Sequence, residues 1–152
     1  MNSKIEVPIL AIVTKDSYPK IPAAVAKKFL LIGDFDPNSN TSSGMPAYNF
    51  VVAGYGLSES WKNKSIIELS QMFIDKGADI NRSWHGYTPL LSAVLSGEHL
   101  LVKHLLKNKA NIDIMVDNQS SPTHNMTALQ LAEYLGQKQD MSEIINMLEN
   151  ET

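Results

Sequence analysis

Residues 86–113 read Gly-Tyr-Thr-Pro-Leu-Leu-Ser-Ala-Val-Leu-Ser-Gly-Glu-His-Leu-Leu-Val-Lys-His-Leu-Leu-Lys-Asn-Lys-Ala-Asn-Ile-Asp, and this stretch decides the fold. Thr88 followed by Pro89 predicts the start of a short helix, because a hydroxyl can cap the first turn and proline is tolerated at the first helical position. Gly97 predicts the end of that helix, since glycine readily takes the left-handed conformation there. A second apolar segment follows at once, so the stretch predicts a helical hairpin.

The hairpin resembles an ankyrin repeat, whose signature is a turn, Thr-Pro-Leu-His, a short helix, a glycine and a longer helix, with a period of about 33 residues. Residues 77–81, Gly-Ala-Asp-Ile-Asn, resemble the exit that precedes such a repeat. Leu91 stands where the family usually has His, so the hydrogen bonds that this His makes between repeats are not expected here. The residues at the family's spacing are Gly86, Thr88, Pro89, Leu90, Ala93, Gly97, Val102, Leu105 and Leu106.

Weaker copies of this unit occur along the rest of the chain. They predict an all-α fold, an ankyrin-repeat solenoid of about four stacked helical hairpins that forms a single domain over residues 1–152. In the last unit, Thr127 begins the first helix and Gly136 ends it. The predicted units span approximately residues 5–38, 44–81, 86–113 and 125–150.

Two serine- or aspartate-based signals predict further helix starts. Ser65, with Glu68 three residues later, fits a capping box, so the second helix of the second unit is predicted to begin at Ser65. Residues 140–143 predict a similar start for the final helix. The outer side of that helix is polar, as a terminal repeat requires when no neighbour covers it. Its outer residues are Glu143, Asn146, Glu149 and Asn150.

Three insertions interrupt the repeat pattern, at about residues 14–22, 54–64 and 116–124. Long loops of repeat proteins map to particular faces and are often functional. The second insertion carries Tyr55, Leu57 and Trp61, which are costly to leave in water without purpose. Two interpretations stay open: these residues contact a partner, or the loop is neutral variation in which Trp61 covers an open edge of the stack.

Composition excludes several classes of protein. A chain of 152 residues with 43% hydrophobic content is sufficient for one compact domain. The absence of cysteine excludes disulfides and thiolate metal sites and fits a reducing cytoplasm. A net charge of −3 argues against a nucleic-acid partner, which needs clustered Lys and Arg. No apolar run approaches the roughly 18 residues of a membrane span.

The four histidines, His85, His99, His104 and His124, show no metal-ligand spacing. His99 and His104 are five residues apart, which does not place them on one helix face. No glycine-rich phosphate loop or ordered nucleophile and base occurs either. We therefore expect no metal, no cofactor and no enzymatic activity. A histidine-based metal or enzyme site on a repeat scaffold is the alternative.

The resemblance implies a protein-binding module, because ankyrin repeats usually meet their ligands through turn tips and the exposed side of the first helices. Trp84 and Tyr87 are residue types that often anchor interfaces, although Trp84 could instead pack on the next turn. Carried over to this chain, the expected partner-binding residues are Arg82, Trp84, His85, Tyr87, Leu95 and Ser96 in the third unit, Thr123, His124 and Met126 in the following turn, and Tyr55 and Trp61 in the second insertion.

The size, single domain and acidic balance of the chain look like the ankyrin-type immunity proteins encoded beside bacterial toxins. This likeness predicts a cytoplasmic protein, monomeric when free, that binds and neutralises a partner protein such as a cognate toxin. A general ankyrin scaffold or regulatory adaptor is the alternative. Neither nucleic acid nor a membrane is expected as a partner.

Overall fold

A computed structural model of the chain describes residues 36–41, 43–53 and 60–151. The chain falls into two compact units, Met1–Asp79 and Ile80–Thr152. The described residues form α-helices and isolated bridges, with no β-strand among them. The predicted first repeat, at residues 5–38, lies almost entirely outside these ranges. The helices are α1 (Ala47–Ala53), α2 (Ser60–Asp75), α3 (Pro89–Leu95), α4 (His99–Lys107), α5 (Ala128–Gly136) and α6 (Ser142–Glu149).

In the first unit, α1 packs against α2. The two helices are joined through a buried polar contact, in which the Tyr48 hydroxyl lies 2.7 Å from the Ser70 hydroxyl. Both side chains are at most 1% exposed. Burial raises the pKa of Tyr48 to about 12, and the hydrogen bond with Ser70 acts weakly in the opposite direction. The phenol is therefore neutral at ordinary pH, and each hydroxyl satisfies the other inside the core.

The start of α2 differs from the sequence prediction. The helix begins at Ser60, five residues before Ser65, so the predicted capping box at Ser65 is wrong. A Ser-x-x-Glu pattern is also compatible with a helix interior, and no glycine or proline lies between Ser60 and Ser65 to stop the helix from extending backwards. The side of α2 that faces the core carries Ile66, Leu69 and Phe73, which are all buried.

The second unit consists of two helical hairpins. Helix α3 packs against α4, and α5 packs against α6. The hairpins are stacked, since α3 also contacts α5 and α4 also contacts α6. The core between them is formed by branched aliphatic side chains that are fully inaccessible to water. These are Val94, Val102, Leu105, Leu131 and Leu148.

The first helix of each of these hairpins begins at a threonine cap. The Thr88 hydroxyl accepts the backbone N–H of Leu91 at 3.2 Å, which confirms the predicted cap. At the start of α5, Thr127 accepts from the Gln130 N–H at 3.4 Å, and the Gln130 side chain accepts from the Thr127 N–H at 3.0 Å. This second start is a reciprocal capping box, and its signal in the sequence is Thr followed three residues later by Gln.

The turns inside the two hairpins differ. Gly97, between α3 and α4, has a φ of +70°, as the sequence predicts for a helix-ending glycine. Gly136 also ends its helix, but it does not take positive φ. A longer turn follows, in which the Asp140 carboxylate accepts the Ser142 N–H at 3.0 Å and its hydroxyl at 2.6 Å. The predicted start of the last helix is therefore correct to within two residues.

Asparagine side chains connect the exits of consecutive repeats. In the first unit, the Asn38 side-chain oxygen accepts the Asp79 N–H at 2.7 Å. In the second unit, the Asn81 side-chain oxygen accepts the Asn111 N–H at 2.9 Å in the same way. These amides link each exit to the next one, and their position at the end of the exit is the signal that sequence reasoning could have used.

Candidate functional site

The turn before α3 is a tight two-residue turn. Trp84 and Tyr87 exchange two backbone hydrogen bonds, of 2.9 and 3.1 Å. His85 and Gly86 between them have φ values of +50° and +83°, which is the signature of a type I′ turn. The Trp84 ring lies edge-on to the exposed His85 ring, with 4.2 Å between the ring centroids. The turn therefore presents an aromatic pair at its tip, on a backbone closed by two hydrogen bonds.

The corresponding turn before α5 contains the third insertion, and we name residues 116–126 the inserted turn. Its base is closed at Val116, whose N–H donates to the Met126 carbonyl and whose carbonyl accepts from the Asn125 N–H, both at 2.9 Å. Asn125 has a φ of +64°, a conformation that asparagine tolerates better than most residues. The insertion therefore lengthens the tip of the turn and leaves its base in place.

The inserted turn is fixed to the tight turn by backbone contact. The Asp117 N–H donates to the Gly86 carbonyl at 2.9 Å. A Cβ atom on Gly86 would lie 2.0 Å from the carbonyl oxygen of Asp117, so only glycine permits this approach. Gly86 is therefore required twice, once for its positive φ and once for the space that it leaves.

Hydroxyl groups make a second connection between the two turns. The Tyr87 hydroxyl donates to the Ser121 hydroxyl at 2.9 Å and lies 3.2 Å from the Thr123 hydroxyl. The hydroxyl oxygens of Ser121 and Thr123 are 2.7 Å apart, and Thr123 is only 4% exposed. Tyr87 and Thr123, which are predicted from the sequence to contact a partner, therefore have a role inside the protein through these bonds.

The other predicted contact residues near these turns differ in accessibility. His85 is exposed, whereas Arg82 and Trp84 are half-buried. His124 and Met126 in the inserted turn are half-buried as well. The Nδ1 atom of His124 is fully buried and has no hydrogen-bond partner among the described residues, so part of this ring faces the protein. His85 is therefore the most accessible of these five side chains.

The exposed face of α3 carries an apolar side chain. Leu95, in the last turn of the helix, is 42% exposed, and Ser96 beside it is also exposed. Among the described residues, the large hydrophobic side chains that are exposed are Leu95, Leu100 and Met115. All three fall between residues 95 and 115, so exposed apolar surface is concentrated in one short part of the chain.

Residues 54–59 of the second insertion, which include Tyr55, lie outside the described residues. Trp61 belongs to α2 rather than to a loop, but its side chain also lies outside the described part. The proposed contact role of these two residues therefore stays a prediction.

Ionisable residues form no obvious reactive centre within the described ranges. No group of three or more His, Cys, Asp or Glu side chains there could hold a metal ion. His99 lies 4.0 Å from Glu143, and both side chains are exposed. The pKa of His104 is lowered, first by burial and second by the positive charge of Lys107. None of the helices described here is both long and apolar enough for a membrane span.

Comparison with known families agrees with this geometry. The family model for the ankyrin repeat matches residues 85–114, which cover the tight turn, α3, α4 and the exit that follows. These residues are an ankyrin repeat, as predicted from the sequence, and the predicted all-α fold class is confirmed for the described residues. Ankyrin repeats are typically binding scaffolds for other proteins. No curated protein matches the sequence at a significant level.

Proposed function

We propose that this protein binds a partner protein through the tight turn and the exposed face of α3 in the matched repeat. The observation that carries the proposal is the 42% exposure of Leu95 at the end of α3. An exposed leucine on a helix whose other side is packed in the core offers apolar area to a partner with little loss of backbone entropy on binding. Trp84, His85, Leu95 and Ser96 form the contact surface, and we call this set the turn-and-helix surface.

The inserted turn supports this surface and extends it. Tyr87 and Thr123 hold the inserted turn in place, so they contribute to binding by preorganisation rather than by direct contact. His124 and Met126 present the accessible part of their side chains on the extension. Arg82 lies half-buried at the entry to the tight turn and marks the edge of the surface.

In its narrower form, the proposal identifies the partner as a bacterial toxin domain that the protein neutralises by occlusion in the cytoplasm. The net charge of −3 suits a basic partner, since opposite charge accelerates association. A scaffold or adaptor would use the same surface but leave the activity of its partner intact. The two roles are therefore separated by what happens to the partner once it is bound.

The test uses one variant on the surface and one matched control. Leu95→Glu places a charge where the partner is expected to bury apolar area, and Leu95 is exposed enough for the fold to tolerate it. Asn146→Glu adds the same charge on the exposed side of α6. Each protein is immobilised and challenged with a lysate, and the captured proteins are quantified by mass spectrometry.

We expect a partner that the wild type and Asn146→Glu retain and that Leu95→Glu retains at least about tenfold less, as for an interface anchor. Titration calorimetry with the purified partner then measures the affinity. Equal capture by all three proteins would contradict the proposed surface. Loss of the partner's own activity in the complex supports neutralisation, whereas unchanged activity supports an adaptor.

A further inference from the structure

The outward side of α4 combines an exposed leucine with two lysines. Leu100 is 54% exposed, and Lys103 and Lys107 are exposed as well. Spacings of three and four residues place these side chains on one face of the helix. We name this set the basic face. The opposite side of α4 is buried in the core through Leu101, Val102, Leu105 and Leu106, so the orientation of the helix is fixed.

The basic face is not neutralised by the rest of the described protein. Lys103 and Lys107 form no ion pair with any described residue. The helix α6, which packs against α4, carries Glu143 and Glu149, but neither lies within 4.0 Å of these lysine nitrogens. Glu143 lies instead beside His99, at the opposite end of α4. Helix α3, which also packs against α4, has no ionisable side chain.

The local field at this end of α4 is positive. His104, next to Lys103 in the sequence, has a lowered pKa, for which burial is the larger cause and the charge of Lys107 the smaller. Lys109, also exposed, adds a further positive charge just beyond the helix. A chain with a net charge of −3 therefore carries a positive patch that begins one helical turn beyond an exposed leucine, and this combination favours a ligand with an apolar group followed by carboxylates.

We propose that the basic face binds a short acidic helical segment of a partner protein. An apolar residue of the segment covers Leu100, and carboxylates one and two turns further along pair with Lys103 and Lys107. This surface belongs to a second helix of the repeat and is distinct from the turn-and-helix surface. Binding here is therefore a separate activity from the function proposed above.

The size of the face favours a segment over a second copy of the chain. Helix α4 has nine residues, which is about 14 Å of helix. A stable dimer buries roughly 800 Å² on each partner, which is more than one short helix face supplies. A lipid surface is disfavoured because the face has one exposed apolar side chain to insert. A helix of two to four turns matches the available length.

The experiment measures binding of a defined peptide to the full chain by fluorescence anisotropy. The probe is a labelled alanine-based helix of about 14 residues with one Leu and two Glu four residues apart. We expect saturable binding that weakens with salt, because the pairs are exposed. Lys103→Glu/Lys107→Glu should weaken it by about tenfold or more, and Leu100→Ala by several-fold. Lys64→Glu, an equivalent charge reversal on α2, should leave it unchanged.

A charge exchange sharpens the test. A second probe with Lys in place of Glu should bind Lys103→Glu/Lys107→Glu and not the wild type. The proposal is overturned if the acidic probe fails to bind at low salt, or if a Gln-substituted probe binds equally well. It is also overturned if anionic phosphatidylserine vesicles bind the wild type while the probe does not.

Light scattering and one further variant distinguish the remaining possibilities. A dimer that Leu100→Ala dissociates would identify a second copy as the occupant and would overturn the proposal. Leu95→Glu should keep full affinity for the acidic probe. If it loses that affinity, the two surfaces are one and the inference of a separate site is wrong, whatever the outcome of the capture experiment.

Discussion

The repeat at residues 85–114 and the hairpin that follows it, residues 115–151, build the same order of turn, short helix, turn and longer helix by different means. In the first, local backbone conformation sets both turns, through positive φ at His85, Gly86 and Gly97. In the second, side-chain hydrogen bonds contribute more to the turns. Hydroxyl groups hold the inserted turn, and the Asp140 carboxylate holds the turn before α6. Turns set by glycine can stay short, whereas longer turns need added hydrogen bonds to offset the entropy of ordering them.

The second lesson of the comparison is that the two turns depend on each other. The inserted turn is held by Gly86 and Tyr87, which both belong to the preceding repeat. A substitution in the tight turn should therefore also destabilise the inserted turn. Gly86→Ala and Tyr87→Phe test this dependence, and Asp140→Ala tests the turn before α6. They are ordered here from the largest expected effect to the smallest.

The largest effect is expected for Gly86→Ala. The new Cβ would collide with the Asp117 carbonyl oxygen at 2.0 Å, and positive φ adds roughly 1–2 kcal/mol of strain. Together these should lower the free energy of unfolding by at least about 3 kcal/mol, measured by urea denaturation of the full chain.

Gly97→Ala is the matched control for this substitution. Gly97 also has positive φ, but its nearest neighbour to an added Cβ is the Gln139 side chain at 3.9 Å, an ordinary contact. It should therefore cost only the conformational strain of about 1–2 kcal/mol. Equal losses for the two variants would show that the close approach of the two turns contributes nothing.

A smaller effect is expected for Tyr87→Phe. The change removes the hydroxyl that reaches Ser121 and Thr123, and a lost hydrogen bond of this kind costs about 1–2 kcal/mol. Ser121 and Thr123 stay bonded to each other. Amide hydrogen exchange should accelerate across residues 116–126, while the tight turn keeps its protection.

Tyr134→Phe provides the control, because the Tyr134 hydroxyl has no hydrogen-bond partner among the described residues. It should leave both stability and exchange nearly unchanged. If Tyr87→Phe behaves like Tyr134→Phe, the inserted turn is held by its backbone alone and the role assigned to the hydroxyls is wrong.

The smallest effect concerns pH and Asp140. The pKa of the exposed Asp140 carboxyl is lowered from its usual value, chiefly by the hydrogen bond from the Ser142 hydroxyl and to a smaller extent by the one from the Ser142 N–H. Since the folded-state pKa is below the unfolded value, this stabilisation is present above about pH 4 and is lost as the pH falls through the folded-state pKa. The stability difference between the wild type and Asp140→Ala should therefore shrink on acidification.

Urea denaturation at a series of pH values measures this difference. Asp113→Ala is the control, because the Asp113 carboxylate makes no hydrogen bond with a described residue. The difference in stability between the wild type and Asp113→Ala should not shrink in this way as the pH falls. A pH-independent difference for Asp140→Ala would contradict the assigned role of the carboxylate.

Local signals explain which parts of the fold were predictable. Thr88 and Gly97 act through their own backbone and nearest neighbours, so their roles follow from residue type and spacing. The start of α2 was predicted wrongly for a related reason. A capping pattern at Ser65 carries no information about whether the preceding residues are also helical, and helix extension beyond a candidate cap is decided by packing.

The candidate site was less predictable than the fold. Tyr87 reads as an exposed aromatic at a turn tip, yet its hydroxyl bonds to Ser121, 34 residues further along the chain. Leu100 reads as a core residue in an apolar helix, yet it is the most exposed large hydrophobic side chain described. Both assignments depend on which neighbour lies opposite, and that information is absent from spacing alone.

The sequence by itself determined the ankyrin repeat at residues 85–114 and the helical hairpin that follows it, because caps, glycines and helical periodicity act over a few residues. Tertiary structure decided which polar side chains are exposed and which form hydrogen bonds inside the protein. Tyr87 and Thr123 became internal because two turns distant in sequence approach within hydrogen-bond distance. Leu95 and Leu100 stayed exposed because no described neighbour covers them. Whether a side chain is buried depends on how the whole chain packs. The residue type sets only the free energy gained or lost when that side chain is buried.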